Sequence, residues 1–267
     1  MKDQLNRAIQ FKETPKRIIS LVPSQTELLC DLGLEGSLVG VTKFCTHPHY
    51  IKSNVVVVGG TKQIQLKKLQ ALQPDIILCN KEENTKAIVE SCESICNVHI
   101  SDIYTFKDNL ELITQYGCIF KKEKEALNII EELRGEISIF NDFIQNKPTF
   151  KVAYFIWRKP WMVAGNKTFI NHILQLNKFE NIYSKEERYP KIELSESHLN
   201  NCVEVVFLSS EPYPFNEVHK IELQKFYPNA TIVLVDGEMF SWYGSRLRKA
   251  FKYFKKLRLN LQKKQLL

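Results

Sequence analysis

The chain has 267 residues, 44% of them hydrophobic, which is enough apolar material for a sizeable core and excludes a disordered class. Lys and Arg outnumber Asp and Glu 37 to 30, a formal charge of +7. Much of that excess (Lys249, Lys252, Lys255, Lys256, Arg258, Lys263, Lys264) has the spacing of a terminal helix's polar face, so a nucleic-acid partner is not expected.

In chain order, Arg17–Val22 is a short apolar strand that stops at Pro23, and Ser24 to Glu27 has capping-box spacing ahead of Leu28, Leu29 and Leu32. For Ser24 and Glu27 themselves a simple helix cap is the favoured reading. Gly33 and Gly36 close that helix, and Leu38–Thr42 and Val55–Val58 give two further strands. Leu66, Leu69 and Leu72 have helical spacing, Asp75–Cys79 is a strand, Asn84–Cys92 a helix and Val98–Ile100 another strand. From Lys121 to Gln145 no Pro or turn cluster interrupts Leu127, Ile130, Leu133, Ile137, Phe140 and Ile144, which predicts one long helix. After Pro148 the pattern restarts with Lys151–Ile156, a helix around Thr168–Leu176, and strands at Val203–Leu208 and Thr231–Val235. The predicted fold class is therefore α/β, two lobes with mostly parallel sheets joined by a single long helix. The boundaries read as lobe 1–118, linking helix 119–147 and lobe 148–267, the last ending in a basic helix.

Seven cysteines (Cys30, Cys45, Cys79, Cys92, Cys96, Cys118, Cys202) form an odd set with no CxxC pair, and Met1 to Phe11 is polar and charged. Together they give the expectation of a cytoplasmic chain with reduced thiols, or of a periplasmic one where an export segment precedes Met1. No segment approaches the roughly 18 to 20 apolar residues that span a bilayer.

Ligands of open parallel sheets gather beyond the carboxyl ends of the strands, so the residues after each strand are the candidates. After the first come Ser24 and Thr26. After the second comes Phe44-Cys45-Thr46-His47-Pro48-His49, where Cys45 and His47 would either ligate a metal or, respectively, pack and line a cleft. Lys81, Glu82 and Glu83 follow the fourth, as a site or as a solvated first turn. In the second lobe Trp157, Arg158 and Trp161 would form a flat apolar wall with one anion-binding fork. Glu211, Tyr213 and Phe215 follow one later strand, and Asp236, Glu238, Phe240, Trp242, Tyr243 and Arg246 follow another. Aromatic and acidic residues recurring at three strand ends favour a binding wall for a large, partly apolar ligand.

At these residues the chain resembles the helical-backbone substrate-binding proteins of ABC importers, above all the cobalamin-binding branch, over about Pro15 to Phe254. The segments that carry the likeness are Arg17-Ile18-Ile19-Ser20-Leu21-Val22-Pro23-Ser24-Gln25-Thr26-Glu27-Leu28, Leu38-Val39-Gly40-Val41-Thr42, Leu72 to Leu78 and Ala164 to Ile170. The resemblance implies two Rossmann-like lobes, a rigid linking helix and a corrinoid or other metal chelate held in the interlobe cleft, with no intrinsic cofactor. It places His47 where the cobalamin receptor has an aromatic residue before a proline, as an axial ligand for a chelated metal, and the second-lobe aromatics near Trp161, Met162 and Tyr189. It also implies docking on an ABC permease through Glu83 and Glu196, by a chain that is otherwise a monomer and not membrane-embedded. The family's export signal has no counterpart in the first residues. A cytosolic chelatase-like enzyme using His47, Glu82, Glu211, Asp236 and Glu238 is the competing class, and a ligand sensor or scaffold is a third.

Overall fold

The structure, a computed structural model, describes residues 1–195 and 200–265. The chain forms two compact units, Met1–Arg134 with Tyr243–Leu247, and Gly135–Trp242 with Arg248–Leu267.

The first unit begins with β1 (Ile18–Ser20), α1 (Pro23–Asp31), β2 (Leu38–Val41), α2 (Ile51–Asn54) and β3 (Val56–Val57). It continues with α3 (Leu66–Ala71), β4 (Ile76–Asn80), α4 (Lys86–Glu93), β5 (Asn97–Ser101) and α5 (Phe106–Phe120). The five strands are all parallel, in the order β3-β2-β1-β4-β5. Ile19, Leu21, Val58, Ile77, Cys79, Val98 and Ile100 pack with Leu69, Ile88 and Val89 of the covering helices. Burial on both faces explains why these strands read as continuous apolar runs and not as alternating ones.

Two local expectations are corrected. Ser24 is not the N-cap of α1: Val22 is, without a side-chain hydrogen bond, and Pro23 opens the helix. A proline already fixed near helical φ and lacking an N–H starts a helix without a polar cap. The charged turn at Lys81 to Asn84 likewise precedes α4, whose cap is Thr85, accepting from Ile88 N.

The long helix is present as α6 (Glu123–Ile144), 22 residues, or about 33 Å. It starts two residues later than the apolar spacing indicates, because α5 ends on Lys121 in the left-handed region at φ 52°. Gly117 lets the two helices close up there; a Cβ on it would lie 2.8 Å from Ala126 Cβ. Gly135, where the unit boundary falls inside α6, leaves the helix unbroken.

The second unit comprises β6 (Phe150–Trp157), β7 (Met162–Val163), α7 (Phe169–Leu176), β8 (Phe179–Asn181), β9 (Val205–Ser209), α8 (Glu217–Gln224), β10 (Thr231–Val235), α9 (Gly237–Ser241) and α10 (Leu247–Gln265), whose first residue belongs to the first unit. Its sheet runs β10-β9-β6-β7, with β8 also pairing β6. All these pairings are parallel except the short β6–β7 return, which apolar spacing alone does not reveal. The apolar face of α10 (Phe251, Phe254, Leu257, Leu261) is buried, with Phe251 5.5 Å from Phe140 of α6 and Phe254 4.9 Å from Phe240. Arg258 is buried among them, its guanidinium 4.5 Å from the Phe150 ring and 4.8 Å from Phe179, donating to the carbonyl of Pro148. Burial pushes its guanidinium down to about 10.

Candidate functional site

Each sheet has a point where the chain, having built strands to one side of its first strand, crosses to the other, and loops diverge there to leave a crevice at the carboxyl edge. In the first unit this point lies between β1 and β4; in the second it lies between β6 and β9.

The first unit fills its crevice with its own chain. Gln25 Nε2 donates to Ser101 Oγ at 2.6 Å and to Tyr243 Oη at 3.0 Å, while Tyr116 Oη donates to Gln25 Oε1 at 2.6 Å. Gly244 N donates to Asn109 Oδ1 at 2.6 Å, and Arg246 Nε pairs with Glu27 Oε2 at 2.7 Å, that pair being almost wholly buried. Gly244 sits at φ 85°, and a Cβ there would lie 3.3 Å from the Ser24 carbonyl. Only glycine combines that backbone with such close approach. Burial pushes the Tyr243 and Tyr116 hydroxyls up, so both remain neutral.

Ser24, Tyr243 and Arg246, expected to face a ligand, are therefore inside the protein, at 5%, 6% and 3% exposure. They hold the segment Tyr243–Leu247 against α1 and α5. Glu27 is an ion-pair partner and not a helix cap.

The other first-unit candidates separate from one another. Cys45 is fully buried, 3.1 Å from Thr26 Oγ1 and 3.3 Å from Thr42 Oγ1, and burial pushes its thiol up. It packs, as a small hydrophobe does. His47, two residues on, is half-buried. Lys81 pairs with Asp102 at 2.6 Å and lies over the Tyr104 ring, and the Asp102 hydrogen bond holds its ammonium above the ordinary value. Glu82 and Glu83 are half-buried, and the Glu83 N–H donates to Asn80 Oδ1 at 3.1 Å. Among the described residues no group of three or more His, Cys, Asp or Glu is arranged to hold a metal ion.

At the corresponding edge of the second unit the strand ends carry a cluster of rings. Trp157, at the end of β6, is 39% exposed and lies edge-on to Tyr213 at 5.7 Å. Trp161 stacks on Phe215 at 6.1 Å with planes 6° apart. Tyr213 N donates to the Ile156 carbonyl at 3.3 Å, which ties the β9 loop to the end of β6. Arg158 lies 5.6 Å from the Trp161 ring and forks onto Glu222 at 2.9 and 3.0 Å. The fork expected to be open for an anion is thus neutralised by a carboxylate from α8.

Two members of this cluster are absent from the sequence reading. His219 hydrogen-bonds Tyr213 Oη through Nε2 at 3.1 Å, and Glu222 holds Arg158. His219 and Glu222, three residues apart, share one face of α8, just after Phe215 and the Asn216 cap, which is the signal that would have joined them.

Behind the rings, Glu211 accepts from Ser241 Oγ at 2.7 Å and from Trp242 Nε1 at 2.9 Å. Burial pushes its carboxyl up, and Glu238 and Asp236 add to this while the two donors oppose it. Asp236 caps α9 by accepting from Glu238 N at 3.1 Å, and Glu238 is half-buried. Phe240 has no exposed surface and packs 5.0 Å from Tyr154, so it is core and not wall; Trp242 is 7% exposed. Tyr189 is half-buried. The structure thus brings together Trp157, Arg158, Trp161, Tyr213 and Phe215, with Glu211 and Trp242 joined to each other behind them. Glu196 lies outside the described residues.

Residues 18–213 match the family model described as periplasmic binding protein. The chain belongs to that family. An uncharacterised ABC transporter substrate-binding lipoprotein of Bacillus subtilis is 26% identical over 186 residues, which is 65% of this chain and 57% of that protein. The match thus spans little more than half that relative's length. A vitamin B12-binding protein of Vibrio campbellii is 25% identical over 199 residues, 73% of this chain and 70% of that protein. Among solved structures, a periplasmic heme-binding protein from Pseudomonas aeruginosa has a TM-score of 0.79 at 20% identity, covering 91% of this chain and 92% of that one. The periplasmic vitamin B12-binding protein of Vibrio cholerae has a TM-score of 0.77 at 17% identity, with 94% and 99% covered. At such identities these structures establish the family's fold for this chain, two parallel-sheet lobes with a long connecting helix. Among the described residues no helix is long and apolar enough to cross a membrane.

Proposed function

We propose that the chain is the substrate-binding component of an ABC importer for a corrinoid or another metal chelate such as haem, and that it binds its ligand without turning it over. The observation that carries this reading is the cluster of rings at the carboxyl ends of β6 and β9, where the exposed indole of Trp157 offers flat area to a large conjugated ligand and Trp161 lies beside it. Membership of a family of binding proteins, with relatives named as B12-binding proteins and a substrate-binding lipoprotein, supports it. The charged groups nearby also suit binding better than chemistry. Arg158 is held by Glu222, and Glu211 by Ser241 and Trp242, so each is oriented within the protein. A chelatase would need a proton-transfer group directed at the ligand.

On this reading the protein needs no resident cofactor, and a metal arrives inside its chelate. His47, half-buried on its own loop, is the imidazole offered to that metal, and Glu83 is the carboxylate offered to a permease. An importer component works on the export side of the membrane, so we place the working protein there and not in the reducing compartment that its cysteines suggest. Native mass spectrometry and an absorption spectrum of the protein isolated from its own host test the reading together. A bound corrinoid or tetrapyrrole mass with its visible bands is the expected result. Conversion of an added tetrapyrrole to its metallated product would instead establish the enzyme.

A further inference from the structure

The C-terminal helix α10 carries a feature that ligand capture does not use. Over its 19 residues, Leu247–Gln265, it contains no Asp or Glu. Its buried side is formed by Ala250, Phe251, Phe254, Leu257, Arg258 and Leu261. At about 100° per residue, Lys249, Lys252, Lys256, Leu259 and Lys263, spaced alternately three and four apart, fall on the pole directly opposite. All five are exposed. The stripe is about 21 Å long, with Lys249, Lys252 and Lys256 well inside one Debye length of their neighbours and Lys263 about one Debye length further on, so their fields overlap. Lys252 remains 70% exposed even while pairing with Glu136 at 3.1 Å. Lys255 and Lys147 widen the basic area, each about 5 Å from the Phe143 ring, at 5.2 and 5.0 Å. Leu259, 40% exposed, puts one apolar side chain in the middle of the lysines.

A solvated helix face in a globular protein ordinarily mixes charge signs. A single-sign stripe with long flexible ammonium stems and one exposed leucine among them is the kind of polybasic surface that an anionic bilayer attracts. Duplex nucleic acid would call for guanidinium groups and a groove-shaped surface, and the solvent pole of α10 offers only lysines. We propose that the lysine stripe of α10 is a docking surface for anionic phospholipid headgroups, holding the protein flat against the membrane in which its permease resides. The surface is independent of the ligand assignment, and its test involves no ligand.

The test is co-sedimentation of the full chain with vesicles of phosphatidylcholine mixed with phosphatidylglycerol, against pure phosphatidylcholine, at low and high salt. Binding should require the anionic lipid and disappear at high salt. The combined variant K249Q/K252Q/K256Q/K263Q should bind on the order of tenfold more weakly, or less tightly still. A charge-matched variant in the first unit, K12Q/K67Q/K107Q/K124Q, should bind nearly as the parent does. Replacing the same four stripe lysines with arginine should preserve binding, and circular dichroism of each variant verifies the fold. The proposal is overturned if anionic vesicles are not bound, if both glutamine variants lose binding equally, or if duplex DNA is bound more tightly than the vesicles at equal salt.

Discussion

The two sheets reach the same topological point and treat it in opposite ways. Between β1 and β4 the crevice is occupied by Tyr243 and Gly244 of the same chain, fixed by Gln25, Ser101 and Asn109, with the Glu27–Arg246 pair beside them. At the ends of β6 and β9 stand Trp157, Trp161 and Tyr213 instead, with Trp157 39% exposed and Trp161 half-buried. A switch point is thus a place where a ligand can bind, and the residues that follow the strands decide whether a ligand or the protein fills it. In the first unit small hydrogen-bonding side chains receive the returning chain, while in the second the same edge carries large rings packed on one another.

The largest effect is expected where the first crevice is closed. Glu27→Ala would leave the buried Arg246 guanidinium without its carboxylate, and should destabilise the first unit by about 3 to 5 kcal/mol. Urea unfolding followed by far-ultraviolet circular dichroism measures it. A loss under about 1 kcal/mol, the usual value of an exposed pair, would mean that the segment Tyr243–Leu247 is not a structural plug.

Much of the fold was legible in the sequence, and the reason differs by region. Ile18, Ile19, Ile76 and Ile77, and Val205 to Leu208, are buried on both faces, so apolar runs identified the strands. The periodicity of α6 survived because Pro is absent, whereas its start was obscured by a left-handed Lys121 that no residue type announces. The strand-end rule found the rings at Trp157, Trp161, Tyr213 and Phe215. It failed for Ser24, Tyr243 and Arg246, because position after a strand says nothing about a return of chain more than 200 residues later; Gln25 and Tyr243 are 218 apart. Arg158 looked like a free anion fork because its partner Glu222 is contributed by a different element, 64 residues away.

In the second unit the start of α9 packs closely on the loop after β9. A Cβ on Gly237 would lie 2.4 Å from Ser209 Oγ and 2.6 Å from Glu211 Cγ. Gly237→Ala should therefore cost about 1 to 3 kcal/mol by overpacking, and should change tryptophan fluorescence, since Glu211 accepts from Trp242. An unchanged melting curve and spectrum would show that the loop yields freely.

A smaller effect concerns pH. Burial raises the Glu211 carboxyl above its ordinary 4.5, so the folded state holds that proton more tightly than the unfolded chain. The cost of ionising it is absent below 4.5 and grows as pH rises from there through the elevated value. Glu211→Gln should flatten the fall in stability across that window, read from urea midpoints at a series of pH values. An identical slope in parent and variant would remove Glu211 from the account.

Recognition of the ligand through the rings of the second unit, as proposed above, is read by equilibrium titration of the full chain and its Trp161→Ala variant. Cyanocobalamin, hemin and a ferric siderophore are the probes, followed by changes in their visible absorption. The account predicts that at least one probe binds the parent, and that the variant, still folded by circular dichroism, binds it more weakly by about 1 to 3 kcal/mol, the range for stacking on an aromatic platform. Equal affinity in parent and variant, or no binding of any probe by a folded parent, would contradict it.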